Sequence, residues 1–298
     1  MSKKIRLKVP ATSANLGAGF DAMGIALDLY CYATFKATDG GLRISGCPAE
    51  FRGEDNLAAR AFRAVEDVIG AGHRGVEIEI DSDIPVARGL GSSAVMLAAG
   101  AFAANEIYAR PLDSAKLLEI TTGIEGHPDN LAPAIYGGLC ASVAENGKTP
   151  VSAHYPVSEN LRFVALVPDF PVSTAQARKA LPGEVSFKDA VFNLSRLSLL
   201  PKALETGDSA LIGAALDDRL HQPCRAKLIR GYDLIRARAL DAGAAGVVIS
   251  GSGPTILCVL RREEAEGFVT RMGRVLEPLE DHWVCHILDC DREGARVI

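Results

Sequence analysis

The sequence predicts an α+β fold, and three observations predict it. Short runs of alternating apolar and polar residues recur along the chain, as in "GVEIEID". Helical stretches lie between them without the regular strand–helix–strand period of a doubly wound sheet. The 298 residues, 48% of them hydrophobic, are enough to bury one large or two ordinary cores.

The elements follow in order. "MSKKIRLKVP" reads as a strand, because Arg6 and Lys8 interrupt the apolar stretch that a secretory signal would need. "PATSANLGAGFDAMGIAL", residues 10–27, sets small and polar residues between that strand and an apolar run. In "GVEIEID", Val76, Ile78 and Ile80 face one side and Glu77, Glu79 and Asp81 the other, which predicts a half-buried strand. A glycine turn after Pro85 leads into "SSAVMLAAGAFAANEIY", whose alanines and lack of turn formers predict a buried helix. A second helix is expected from Asp113 towards Thr122, ahead of the turn-rich "GIEGHPDN". Residues 145–160 are the most loop-like stretch and separate two units. Beyond them the pattern predicts a strand in "LRFVALV", helices around 187–206 and 208–219, and a helix ending near Gly243. A strand in "AGVVIS", the turn "GSGP", a strand in "TILCVL", a helix near 263–276 and a strand near 283–289 complete the chain.

A net charge of −5 with 23% charged residues gives no polyanion-binding surface, so nucleic acid is not an expected partner. The longest apolar run, Ala94 to Ala104, is well short of the roughly 20 residues needed to cross a bilayer, and no membrane association is expected. Seven cysteines without C-x-x-C spacing point to reduced thiols and a cytoplasmic location. The tract "CHILDC" alternates like a strand rather than offering a metal site.

The loop "IPVARGLGSSAV", residues 84–95, carries the chemistry. Its glycines allow backbone N–H groups to converge on an anion, and the helix beginning at the serines adds the positive end of its dipole. A Walker A loop is excluded, because the lysine of that motif is missing. Gly89, Gly91 and Ala94 formally meet the G-x-G-x-x-[GA] dinucleotide fingerprint, but the parallel βαβ unit it requires is not predicted here. A serine-capped helix after a glycine turn is the structural alternative. His127 and Asp129 raise the question of a Ser/His/Asp hydrolase, but no G-x-S-x-G elbow is present to expose a nucleophile.

Together with residues 10–27 and "VVISGSGPTILCVL", residues 247–260, the loop resembles the signature motifs of the GHMP kinases. These are small-molecule kinases named for galactose, homoserine, mevalonate and phosphomevalonate. The likeness runs through most of the chain, and "EGHPDNLAPAIYGG" is similar to the branch that acts on L-homoserine. It implies an ATP-binding domain of the ribosomal-protein-S5 type over residues 1–150 and a ferredoxin-like domain over residues 151–298, with the active site between them. A homodimer is a family-level expectation.

Carried over by position, the resemblance implies that Pro85, Val86, Ala87, Arg88, Gly89, Leu90, Gly91, Ser92, Ser93, Ala94 and Val95 wrap the ATP phosphates, with Asn56 near the nucleotide. It makes Ser93 and Glu119 the expected Mg2+ ligands. For homoserine it assigns Asp21 to the ammonium, Arg178 and Arg225 to the carboxylate, and Asn15, Asn130 and Thr174 to the polar lining. The implied reaction moves the γ-phosphoryl group of ATP to the side-chain hydroxyl, a step towards threonine. One departure stands out: mevalonate kinase and several other relatives use an aspartate as base where this chain has Asn130, with Asp129 beside it. Catalysis without a dedicated carboxylate base is therefore expected. A nicotinamide dehydrogenase built on the weak glycine match and a non-catalytic small-molecule sensor are the competing readings.

Overall fold

The computed structural model describes residues 3–145 and 148–298. Strands β1 (Lys4–Asn15) and β2 (Gly19–Thr38) form a long antiparallel hairpin at the centre of the first sheet. After β3 (Leu42–Ser45), helix α1 (Leu57–Ile69) and β4 (Gly75–Ser82) come α2 (Ser92–Ile107), α3 (Ser114–Glu125) and α4 (Leu131–Tyr136). Strands β5 (Leu139–Val143) and β6 (Val151–Tyr155) finish this half, and the sheet runs β11-β1-β2-β4-β3 with β5 on β2 and β6 on β5.

The second half holds β7 (Leu161–Pro168), α5 (Thr174–Lys179), α6 (Phe187–Thr206), α7 (Ser209–Ala215), α8 (Gln222–Arg225) and α9 (Tyr232–Asp241). Strands β8 (Gly246–Ile249) and β9 (Ile256–Arg261), helix α10 (Ala265–Leu276) and strand β10 (Trp283–Leu288) follow. Strand β11 (Arg296–Val297) then returns to pair with β1. The four-stranded second sheet is antiparallel in the order β10-β7-β9-β8, the ferredoxin-like arrangement.

The expected α+β class is therefore the observed one. Val76, Ile78 and Ile80 are buried, as the alternation in β4 predicts. The alanines of α2 serve close packing: a Cβ at Gly100 would come 2.0 Å from the Ala58 carbonyl oxygen of α1. The two helices thus touch near their backbones. Two expectations need correction. Residues 145–160 are not all loop, since β6 extends the first sheet to Tyr155; its exposed edge position left no apolar alternation to read. The helix expected over 208–219 ends at Ala215, and the residue that follows packs on the β1–β2 hairpin, where a Cβ at Gly17 would come 2.2 Å from the Leu216 carbonyl oxygen.

The main core crosses both sheets, from Leu7, Ile25 and Phe62 to Phe163, Leu204 and Leu257. A second cluster fills the space between the small sheet and α9 and α10, including Leu166, Ile235, Ile256, Phe268 and Met272. Between the sheets, mostly at chain reversals and helix ends, lies a cavity lined from both halves of the chain.

Candidate active site

The cavity has a volume of about 540 Å³ and is lined from many separate places in the sequence. Asn15 and Asp21 enter from the β1–β2 hairpin, residues 84–93 from the loop before α2, and Glu125 from the end of α3. His127, Asp129 and Asn130 come from the turn before α4, Ser173, Thr174 and Arg178 from α5 and its cap, Arg225 from α8, and Gly251 and Ser252 from the β8–β9 turn.

At one end the loop is shaped by backbone conformations that glycine favours. Gly89 and Gly91 have φ of 78° and 70°, and Ala87 joins them at 55°. No side chain caps the N-terminus of α2, so its first N–H groups are left without a hydroxyl partner beside the cavity. The serine-capped reading is thereby set aside for Ser92 and Ser93.

The other two motif segments clamp this loop. Thr12 N–H donates to the Leu90 carbonyl at 3.2 Å, Ser250 Oγ to Gly89 at 2.6 Å, and Thr255 N–H to Arg88 at 3.3 Å. Gly89 has no room for a side chain, because its Cβ would fall 2.3 Å from the Ser250 carbonyl oxygen. Leu90, Ala94 and Val95 are buried beneath the loop, whereas Val86, Ala87, Arg88, Gly89, Gly91, Ser92 and Ser93 line the cavity. Pro85 only leads into it. The Arg88 guanidinium donates to the carbonyls of Pro168 and Val86, both at 2.9 Å, and to that of Asp169. It ties the loop to the end of β7 instead of standing free for a phosphate.

Ser93 Oγ donates to the Glu125 carboxylate at 2.5 Å, and both side chains line the cavity. The acidic residue expected to accompany Ser93 was Glu119, and the structure places it elsewhere. Glu119 accepts hydrogen bonds from Lys116 and, at 2.6 Å, from Thr149, and it is not among the cavity-lining residues. The Lys116 ammonium and the Thr149 hydroxyl hold its carboxyl below the usual range. Glu119 and Glu125 share α3 but, six residues apart at about 100° each, they point to different faces. Glu119 therefore faces away from the cavity that Glu125, on the same helix, lines.

Asn56 plays two parts. Its side-chain oxygen caps α1, accepting from Ala58 N–H at 2.9 Å and Ala59 N–H at 3.4 Å. It also borders the recess formed by Cys47, Pro48, Phe51, Ile80 and Met96, which is apolar and open enough for a flat base.

At the other end, charged side chains dominate. Arg178 and Asp21 form a bidentate pair at 2.9 and 3.0 Å. Arg225 is only 2% exposed, donates to the Gly251 carbonyl at 3.0 Å, and has a buried Nε with no partner. Burial holds its guanidinium below the usual range, with Asp21 the strongest opposing influence. Asn15 donates to the Gly251 carbonyl at 2.7 Å and accepts from Asp21 N–H at 3.0 Å. Asn15, Leu16 and Asp21 all have positive φ, so backbone strain is concentrated in the hairpin that carries the acidic group.

Three supporting residues were not singled out in the sequence. His221 Nε2 donates to the Gly17 carbonyl at 2.8 Å and stacks on Phe20, with ring centroids 5.1 Å apart. Burial pushes its pKa down, which favours the neutral ring. Thr12, fully buried on β1, donates to Asn130 Oδ1 at 2.8 Å. Glu125 sits inside the quoted "GIEGHPDN", where the turn signal masked it.

His127 Nδ1 donates to Asp129 Oδ1 at 2.6 Å, and the same oxygen accepts Asn130 N–H at 2.8 Å. The hydrogen bond to Asp129 raises the His127 pKa, against the opposing effect of burial. Asp129 is 3% exposed and closely engaged by these donors.

Comparison with known proteins gives the family. Residues 56–138 match the GHMP kinases N terminal domain, and residues 200–277 match the GHMP kinases C terminal domain. A homoserine kinase of Clostridium botulinum (strain 657 / Type Ba4) is 41% identical over 293 residues, covering 98% of each chain. That of Caldicellulosiruptor bescii is 41% identical over 98% of this chain and 96% of its own. The crystal structure of homoserine kinase from Cytophaga hutchinsonii superposes with a TM-score of 0.90 at 30% identity, covering 100% of this chain and 98% of that one. With both domains matched and full-length relatives at this identity, the chain belongs to the GHMP kinase family.

Proposed function

We propose that the cavity transfers the γ-phosphoryl group of ATP to the side-chain hydroxyl of L-homoserine, giving O-phospho-L-homoserine and ADP. One observation carries the choice of acceptor: a carboxylate and two guanidinium groups, Asp21, Arg178 and Arg225, share one cavity with an uncapped helix N-terminus. The charged end complements an amino-acid zwitterion, and the helix end complements a polyphosphate. The full-length relatives named homoserine kinase support the same reading. The half built on the first sheet, which β6 and the returning β11 complete, is taken as the ATP-binding unit, and the half from β7 onward as the unit that contributes Arg178 and Arg225.

Ser93 and Glu125 fit a Mg2+ ion, since a hydroxyl and a carboxylate in contact are hard oxygen donors and such an ion takes its remaining ligands from phosphates and water. Bound there, Mg2+ would neutralise phosphate charge. The protein's own part is positional. Loop amides and the α2 dipole hold the phosphates, and the recess near Asn56 takes the base. Phosphoryl transfer through a loose transition state needs little covalent help, so alignment carries most of the rate. Asn130 borders the cavity and cannot take a proton, while Asp129 is already engaged by His127 and the Asn130 N–H. The hydroxyl proton therefore passes to a phosphoryl oxygen or to water.

A coupled ADP-release assay with ATP and Mg2+ across homoserine, mevalonate, phosphomevalonate, shikimate and galactose tests the reading. Turnover is expected with homoserine. Turnover with another alcohol and none with homoserine would overturn it.

A further inference from the structure

A carboxamide has two ends, one a donor and one an acceptor, and what an acceptor hydroxyl meets at Asn130 depends on which end is pinned. The Thr12 hydroxyl donates to Asn130 Oδ1 at 2.8 Å, while Asn130 Nδ2 lies 3.4 Å from Asp129 Oδ1. Turning the amide over would set its oxygen against the Asp129 carboxylate and lose the hydrogen bond that Thr12 donates to Oδ1. The Asp129 carboxylate is itself fixed by His127 Nδ1–H and the Asn130 N–H, so the alternative cannot be relieved by moving it.

This pair lies against the phosphate loop. A Cβ at Gly91 would come 1.9 Å from Thr12 Oγ1 and 3.2 Å from Asn130 Oδ1. Thr12 N–H is also bound to Leu90, the residue before that glycine. The threonine thus touches both the loop and the amide, is fully buried, and lies outside the set of residues that line the cavity.

We propose that Thr12 is a positioning residue that locks Asn130 with its N–H group available to the acceptor's hydroxyl oxygen. Donation to one lone pair of that oxygen leaves the other directed at the γ-phosphorus and turns the hydroxyl proton towards the phosphate oxygens. The inference rests on the phosphoryl-transfer reading of the cavity, with Asn130 at the acceptor.

Steady-state kinetics of Thr12→Val, Thr12→Ser and Asn130→Ala, alone and combined, test it. Thr12→Val keeps the shape and removes the donor, so kcat is expected to fall at least about tenfold, with both KM values within about threefold. Thr12→Ser restores the donor and should hold kcat within about threefold of the parent. In the Asn130→Ala background, Thr12→Val should cost less than about twofold more, because the amide it orients is gone. Equal losses in Thr12→Val and Thr12→Ser, an unchanged kcat in Thr12→Val, or additive losses with Asn130→Ala would each overturn the inference. If Thr12→Val loses its cooperative thermal transition, Thr12→Ala is judged by the same criteria. A parent enzyme inactive on homoserine would instead sink the kinase reading, which keeps the two failures apart.

Discussion

At the proposed phosphate end of the cavity the lining is a loop whose backbone is set by positive φ at Ala87, Gly89 and Gly91, whereas at the proposed acceptor end it is side chains gathered from four separate turns and helices. The first end is held by carbonyl contacts from Thr12, Ser250 and Thr255, and even its arginine, Arg88, is consumed in tying the loop down. The second is held by opposite charges that face one another, Arg178 and Asp21 forming a bidentate pair. A backbone cradle accepts any chain of phosphates. A charged side-chain corner selects one alcohol among many, because a ligand lacking the ammonium or the carboxylate leaves a desolvated charge behind.

The contrast breaks most sharply at Ser93 and Glu125, the only side-chain pair that the phosphate end uses for a metal in this reading. Ser93→Ala and Glu125→Gln should each lower kcat on the order of 10²- to 10³-fold and raise the Mg2+ concentration needed for half-maximal rate. Glu119→Gln is the control, and its kcat and Mg2+ dependence should stay within about twofold of the parent, as expected for a half-buried ion pair outside the cavity. If Glu119→Gln shifted the Mg2+ profile and Glu125→Gln did not, the assignment by helix face would be reversed.

A smaller effect, confined to the other end, is expected from the arginines. Arg178→Ala and Arg225→Ala should raise the homoserine KM roughly 10- to 100-fold and the ATP KM by less than about threefold, as loss of a charge-assisted hydrogen bond implies. Arg225 should be the more damaging of the two, because it is buried and holds the Gly251 carbonyl that Asn15 also uses. Equal changes in both KM values would mean that the two ends are not separate.

The same contrast explains what could be read from the sequence. The loop was legible because glycines and serines in a fixed order have few other uses, and the strand and helix on either side follow from local periodicity. Asp21, Arg178 and Arg225 were placed through the family resemblance, and no local pattern would bring together residues so far apart in the chain. Glu119 was placed through the family resemblance as well, and the face of α3 it takes is set by tertiary packing that the sequence does not show. Thr12 and His221 escaped notice for a related reason. Each acts through one hydrogen bond to another residue of the site, at Asn130 and Gly17, and a buried polar residue carries no mark of its partner in the sequence.

The mildest test lies where the two ends meet, at His127 and Asp129. The Asp129 hydrogen bond raises the His127 pKa above its ordinary 6.5, while burial works the other way. Since the folded value exceeds the unfolded one, the pair's contribution to stability is fully present below about pH 6.5 and is lost as pH rises through the folded value. The difference in thermal stability between the parent and His127→Gln should therefore be largest at mildly acid pH and shrink as pH rises. In Asp129→Asn the Asp129 influences are gone and burial outweighs the remaining Glu125 charge, so the His127 imidazole resonance should titrate below its value in the parent. A midpoint unchanged by Asp129→Asn would show that the carboxylate does not govern this histidine. The acceptor end would then have a free carboxylate beside Asn130, and catalysis without a dedicated base would no longer follow from the geometry.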